Sequence, residues 1–272
     1  MPLITLTSGI GCSEGTVARL LGDQLGMPVY DDQRLQHEAL VQGVSVDDLK
    51  NLDEKAPGLF NRLLNFKPQA YREVMEAVIL AVAGRDAAII LGHGAPFLLR
   101  DFGCALHVRL YASLSSRVEI FSEEQGMGTE TAKKIIEKSD NDRRGFMEYA
   151  FQMNWDDPAL YDLIVNRDKL GTEGAVHLIM AMEGTEQFAT CSLTALDSME
   201  RLSLAKKVEA AIMKTMLNPQ NFDVDVPEKG VVRLSGIINP LESEDKLLDA
   251  VRSVPGVTDV RPDIAVERIH DI

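Results

Sequence analysis

The opening sixteen residues constrain the fold more tightly than any other part of the chain. Residues 3–7 (Leu-Ile-Thr-Leu-Thr) form a short apolar run that leads directly into Ser8-Gly9-Ile10-Gly11-Cys12-Ser13-Glu14-Gly15-Thr16. Beyond that turn Val17, Leu20, Leu21 and Leu25 recur at the spacing of one helix face. The order is therefore strand, glycine-rich turn, helix, and the alternation continues. Val29 and Tyr30 close a second short strand at Asp31-Asp32, and a polar, helix-rich stretch runs from there to about residue 70. A helix then aligns Val74, Met75, Val78, Ile79 and Val82, and the apolar strand 87–91 ends at Gly92-His93-Gly94. Further strands are expected at 105–110 and 163–165. Continuous apolar strands alternating with helices predict an α/β fold, a parallel sheet covered on both faces.

Charge narrows the partners. The 272 residues carry 42 acidic and 28 basic side chains, a formal net charge of −14. A surface of that sign excludes a broad electrostatic grip on nucleic acid or on an anionic membrane, so a small polyanion needs a local basic pocket. The densest basic stretch is a helical excursion over residues 115–149 with Arg117, Lys133, Lys134, Lys138, Arg143 and Arg144. The lysines read as a solvated face. Arg117, Arg143 and Arg144 read as phosphate ligands, because a guanidinium presents a planar fork that matches phosphate oxygens. Cys12, Cys104 and Cys191 are widely spaced and odd in number, which suggests neither a disulfide framework nor a zinc site. His37, His107, His177 and His270 lack ligand spacing, so no metal is assigned. The first residues carry no basic leader with an apolar core, and no stretch reaches 18 apolar residues. The expectation is a soluble, cytoplasmic protein with no stable membrane insertion.

The pattern changes near residue 183. Residues 1–182 read as one domain, 183–202 as a connector of low periodicity, and 203–272 as a second domain. In the last, Leu204, Val208, Ala211 and Ile212 share a helix face. Residues 222–226 alternate as a half-buried strand that pairs with 231–235 across the turn Glu228-Lys229-Gly230. A helix with Leu247, Leu248 and Val251 follows, then strands at 257–260 and 264–266 on either side of Pro262. The order is α-β-β-α-β.

A glycine-rich turn between a buried strand and a helix gathers backbone N–H groups at the positive end of the helix dipole, which is how such turns hold phosphate. Gly9, Gly11 and Gly15 supply the glycines, while Cys12, Ser13 and Thr16 complete the loop. The lysine that normally neutralises the transferred phosphate is replaced by Glu14. A carboxylate about 4 Å from a phosphate charge costs roughly 4 kcal/mol at an effective dielectric of about 20. Phosphate binding then needs Glu14 to face solvent, a metal ion to bridge it, or Arg19 to neutralise it. The bland alternative is a tight strand-to-helix connection. Cys12 is either a small filler or, with its thiolate favoured by the helix N-terminus, a redox handle.

These stretches, taken in order, resemble the cytidylate-kinase-like family of P-loop nucleoside monophosphate kinases over about residues 3–182. The resemblance rests on residues 4–25, Val29-Tyr30-Asp31, the run Leu52-Asp53-Glu54-Lys55-Ala56-Pro57, and residues 89–99 with Gly92-x-Gly94-Ala95. It continues through His107-Val108-Arg109-Leu110-Tyr111-Ala112, Asp140-x-x-Arg143, and the blocks from Trp155 to Gly171. It implies a five-stranded parallel sheet, a lid over about residues 117–149, catalytic roles for Arg117 and Arg143, and an acceptor site from Asp31 with His93, Asp140 and Arg144. ATP and Mg²⁺ are the cofactors it implies for an active enzyme, with a small nucleotide or phosphorylated ligand as partner. The chain departs from the family where a basic residue is expected at Glu14-Gly15, and again where Gly92-His93-Gly94 replaces Gly-Arg-Gly. His93 is then either a phosphate ligand when protonated or a structural histidine. The tail resembles the BON module through residues 222–226, Gly230-Val231-Val232-Arg233-Leu234-Ser235-Gly236 and Val254-Pro255-Gly256-Val257. Three readings follow: a nucleotide-binding protein with weak or absent phosphotransfer and a sensing or partner-contact tail, an active cytidylate-type kinase, or a non-catalytic assembly protein that forms a homodimer.

Overall fold

The computed structural model describes residues 2–41, 68–85, 87–186, 188, 193–215, 221–239 and 243–266. The run at residues 52–57 lies outside them. The first module is built on five parallel strands: β1 (Leu3–Ser8), β2 (Val29–Tyr30), β3 (Ala88–Leu91), β4 (Ala105–Tyr111) and β5 (Leu163–Asn166), in the order β2-β3-β1-β4-β5. Every residue of β1 is buried, as a central parallel strand requires. Its alternate side chains divide between two cores. Leu3, with Ala88, Ile90 and Ala105, faces helix α3 (Pro68–Arg85). Ile4 and Leu6, with Ile89, Leu91, Leu106 and Val108, face α1 (Glu14–Leu25) and a later helix. The period-two alternation of a strand thus builds both layers at once.

Between β2 and α3 lies α2 (Asp32–Val41), and the short α4 (Ala95–Leu98) follows β3. The charged excursion folds as two helices, α5 (Leu114–Gln125) and α6 (Thr129–Phe151). Ser113 caps the first, its hydroxyl accepting from the Ser116 N–H at 3.4 Å. The second is anchored by Phe146 and Phe151, which pack edge to face with ring centroids 5.9 Å apart. After β5 comes α7 (Arg167–Glu183), which completes the second core with Ala175, Val176 and Ile179.

The second module contains α8 (Leu193–Lys214), β6 (Phe222–Glu228), β7 (Val231–Ile238), α9 (Glu244–Arg252) and β8 (Asp259–Val266). Two expectations change here. A helix already begins at Leu193, inside the stretch read as a connector. Its buried positions serve two different cores, which erases the single-face periodicity by which a helix is recognised. Met199 belongs to the first module's core, whereas Leu204, Val208 and Ile212 belong to a separate core with Val226, Leu234 and Leu247. The two short strands expected around Pro262 are instead one continuous β8. Pro262 stands opposite Leu234 on an edge strand, where its missing N–H breaks no ladder on the outer side. The β6–β7 pair is antiparallel and β7–β8 parallel.

The modules meet along α3 and α8. Ser203 is buried and donates its hydroxyl to the Ala77 carbonyl at 2.7 Å. Beside it Lys206 reaches Glu73 at 3.3 Å, Glu76 at 3.8 Å and Glu209 at 2.8 Å. Cys104, at the foot of β4, is disulfide-bonded, a correction to what the wide cysteine spacing suggested. Spacing along the chain is blind to a pairing made by long-range folding. No helix among the described residues is long and apolar enough to cross a membrane.

Candidate phosphate-binding site

The carboxyl ends of the parallel strands are where open α/β sheets bind ligands. β1 ends there at Ser8 and passes into the glycine-rich loop. Gly11 takes φ of +84° and Ser13, at the N-cap of α1, takes φ of +51°. Two left-handed residues two positions apart turn the chain sharply enough to start α1 at Glu14. Glu14 therefore sits at the first residue of the helix, 4% exposed. Of the three routes to phosphate binding, solvent exposure of Glu14 is ruled out by this burial. Neutralisation by Arg19 is ruled out too: that side chain points to the surface and pairs with Asp23 at 3.2 Å.

The cations at the loop come from elsewhere. Arg117, in the first turn of α5, donates from Nε to the Ile10 carbonyl at 2.7 Å and grips Asp140 of α6 through both terminal nitrogens, at 2.8 and 2.7 Å. A Cβ placed on Gly9 would lie 2.4 Å from the Arg117 guanidinium, and one on Gly11 would lie 2.4 Å from the Arg117 carbonyl oxygen. Glycine is required at both positions because the lid residue rests on the loop. Arg143 of α6, 2% exposed, donates to the Ser8 carbonyl, and its guanidinium lies 4.8 Å from the Trp155 ring centroid. Arg167, the first residue of α7, donates to the Ser13 hydroxyl at 3.2 Å and to Thr172 at 3.1 Å. Three guanidinium groups among the described residues thus hold the loop. They bond to its carbonyls and hydroxyl, so they fix its shape before any ligand arrives.

A cleft of about 190 Å³ opens beside the loop, lined by Gly9, Cys12, Arg109, Arg117, Asp140 and Asp156 among others. Arg109 on β4 donates to Asp156 at 2.5 Å and stacks 4.7 Å from the Trp155 ring, which Arg143 also meets. Arg144 is half exposed and bridges Asp156 at 3.2 Å and Asn141 at 2.9 Å. Burial works to raise the Asp156 pKa, but Arg109 and Arg144 hold it below the ordinary carboxylate value. Burial pushes the Cys12 thiol up, against the pull of Arg117, which with its 2% exposure favours the space-filling reading over a redox handle.

On the acceptor side, His93 is fully buried and takes φ of +54° between two glycines. Its Nε2 lies 2.5 Å from an Asp32 carboxylate oxygen. Asp31 itself is exposed and accepts from the Arg34 N–H at 2.9 Å at the start of α2. The structure therefore gathers Gly9, Gly11, Cys12, Glu14, Arg117, Arg143 and Asp140 at one loop, sets Arg144 on the rim, and leaves Asp31 outside. Asp32, Arg109, Arg167 and the packing of Trp155 between two arginines went unread in the sequence. Part of their signal is position: Asp32 and Arg167 follow β2 and β5 at the carboxyl edge of the sheet, and Arg109 lies two residues before the end of β4.

Comparison with known proteins agrees with this architecture. The cytidylate kinase-like family matches residues 3–169 and the BON domain matches residues 202–268. A cytidylate kinase of Thermoplasma volcanium is 24% identical over 187 residues, covering 65% of this chain and 88% of that protein. A cytidylate kinase of Pyrococcus horikoshii is 25% identical over 182 residues, covering 66% and 86%. The fold is shared with a crystal structure of an uncharacterized protein from Eubacterium ventriosum, at a TM-score of 0.54 and 20% identity, over 66% of this chain and 97% of that one. With its parallel sheet, its glycine-rich loop and its helical lid, the chain belongs to the cytidylate kinase-like family and carries a BON domain behind it.

Proposed function

We propose that this protein binds a nucleotide or related phosphorylated ligand at the loop of residues 8–16, with weak or absent phosphotransferase activity, and uses its BON domain for ligand sensing or partner contact. The observation that carries the reading is Glu14, buried at the first residue of α1 where a lysine would neutralise the transferred phosphate. Phosphoryl transfer is mainly positioning and charge neutralisation, so an anion at that point removes the largest local contribution to the rate. The loop also fits ATP poorly in the usual pose, because Arg117, held by Asp140, already lies against Gly9 and Gly11. Among the described residues no cluster of three or more His, Cys, Asp or Glu is arranged for a metal ion. Mg²⁺ is held in such sites largely by the substrate phosphates. What supports retained anion binding is the arginine set: Arg117 needs only to exchange the Asp140 carboxylate for a phosphate.

Calorimetric titration with ATP and with CMP, beside a coupled assay of ADP release across hydroxyl and phosphate acceptors, tests the proposal. Measurable nucleotide binding with turnover far below about 1 per second, the low end of kinase rates, is the expected result. Turnover in the kinase range favours an active cytidylate-type enzyme instead. No heat with either nucleotide leaves the assembly role.

A further inference from the structure

A second cleft, of about 250 Å³, lies where the two modules meet, far from the phosphate loop in sequence and element. Its apolar floor is shared: Ala81 comes from α3, Leu204 from α8, Val226 from β6 and Pro255 from the turn after α9. Four cations face it among the described residues, and three are already matched by carboxylates. Arg85 donates to Glu38 at 2.6 Å, Lys229 pairs with Glu200 at 2.8 Å, and Arg201 pairs with Asp197 at 2.9 Å. Lys207 makes no ion pair among the described residues. It stands half-buried beside Arg85, and burial followed by the Arg85 charge lowers its pKa. A half-desolvated ammonium next to a guanidinium and an apolar floor has one chemical complement, an anion on a hydrophobic body.

We propose that this cleft is a binding site for a small organic monoanion, a carboxylate or sulfonate on an apolar body, with its charged group at Lys207 and its body over Ala81, Leu204, Val226 and Pro255. Because the walls come from both modules, occupancy joins the BON domain to the kinase-like domain. The inference stands apart from the nucleotide reading, since none of its residues belongs to the loop or lid.

Fluorescence titration of the full chain with 1-anilinonaphthalene-8-sulfonate, and with its uncharged analogue N-phenyl-1-naphthylamine, tests it. The sulfonate is expected to bind saturably and more tightly than the neutral ring system by roughly tenfold, the size of one hydrogen bond to a charged group. Lys207→Met keeps the apolar stem and should remove that preference, whereas Lys207→Arg should keep it. Equal affinity for the two probes in the unmodified protein overturns the proposal without any variant. So does sulfonate binding that Lys207→Met leaves unchanged, or the absence of saturable binding.

Discussion

Arg117 of α5 and Glu14 of α1 meet at one loop, and Asp140 holds the Arg117 guanidinium there. Arg117 is bound to Asp140 through two hydrogen bonds and to the loop through one, so its charge is spent inside the protein. Asp140→Asn weakens that clamp and should raise affinity for ATP several-fold, while Arg117→Ala should lower it; paired calorimetric titrations read both signs. Weaker binding by Asp140→Asn would place Asp140 on the ligand side. At this scale the sequence was legible where function is contiguous. Gly9, Gly11 and Glu14 stand in one nine-residue turn, and their meaning follows from spacing. Arg109, Arg167 and Asp32 were not legible, because only the strand order β2-β3-β1-β4-β5 brings their separate strand ends to the same edge. The histidine of Gly92-His93-Gly94 was read as either a phosphate ligand or a structural residue, and the structure sets its Nε2 against Asp32, a partner that spacing did not reveal.

At the scale of elements, the loop and the lid helix α5 fit each other through two glycines with different consequences. A methyl on Gly11 meets the Arg117 backbone carbonyl at 2.4 Å and imposes φ of +84° on alanine. A methyl on Gly9 meets the far end of the same side chain, a guanidinium that can shift where a backbone carbonyl cannot. Gly11→Ala should therefore destabilise by about 1–3 kcal/mol. Gly9→Ala should cost less and displace the Arg117 guanidinium; denaturant unfolding of the two variants ranks them, and the reverse order would mean the lid does not rest on the loop. A different pH response is built between α3 and α8. Burial, then the neighbouring Glu73, raises Glu209 from 4.5 to about 7, against the favourable contact with Lys206. A carboxyl whose folded pKa is raised binds more protons in the native state, so stability falls as pH rises from about 4.5 to about 7 and levels off above. Glu73 is lowered, with burial opposed by its bonds to Glu209, Lys206 and Arg72, so its own contribution is lost only as pH falls through its folded value. Glu209→Gln should flatten the fall in melting temperature between about pH 4.5 and 7 and leave the variant more stable than the unmodified protein at pH 8. An unaltered pH profile would show that Glu209 ionises normally.

Across the whole molecule, α8 binds the two modules into one. At 22 residues it spans about 33 Å, enough to serve the first module's core at Met199 and the second module's core at Leu204, Val208 and Ile212. Met199 is fully buried and lies between the two matched family regions, 3–169 and 202–268. Met199→Ala should cost about 2–5 kcal/mol and lower the unfolding transition of the kinase-like module; an unchanged transition would mean the helix merely lies alongside it. The alternation of apolar strands and helices was enough to read the sheet and the two-module plan. The shared helix escaped because a segment buried on two faces against two cores shows no single-face period. The central claim is that the loop of residues 8–16 is an anion cradle with a carboxylate where the cation belongs. It is tested most directly by calorimetric titration of ATP into Glu14→Lys beside the unmodified protein. Exchanging a repulsion of roughly 4 kcal/mol for an attraction predicts an affinity at least about tenfold higher in the variant. Equal affinity in the two proteins would contradict it, because the loop would then not face phosphate.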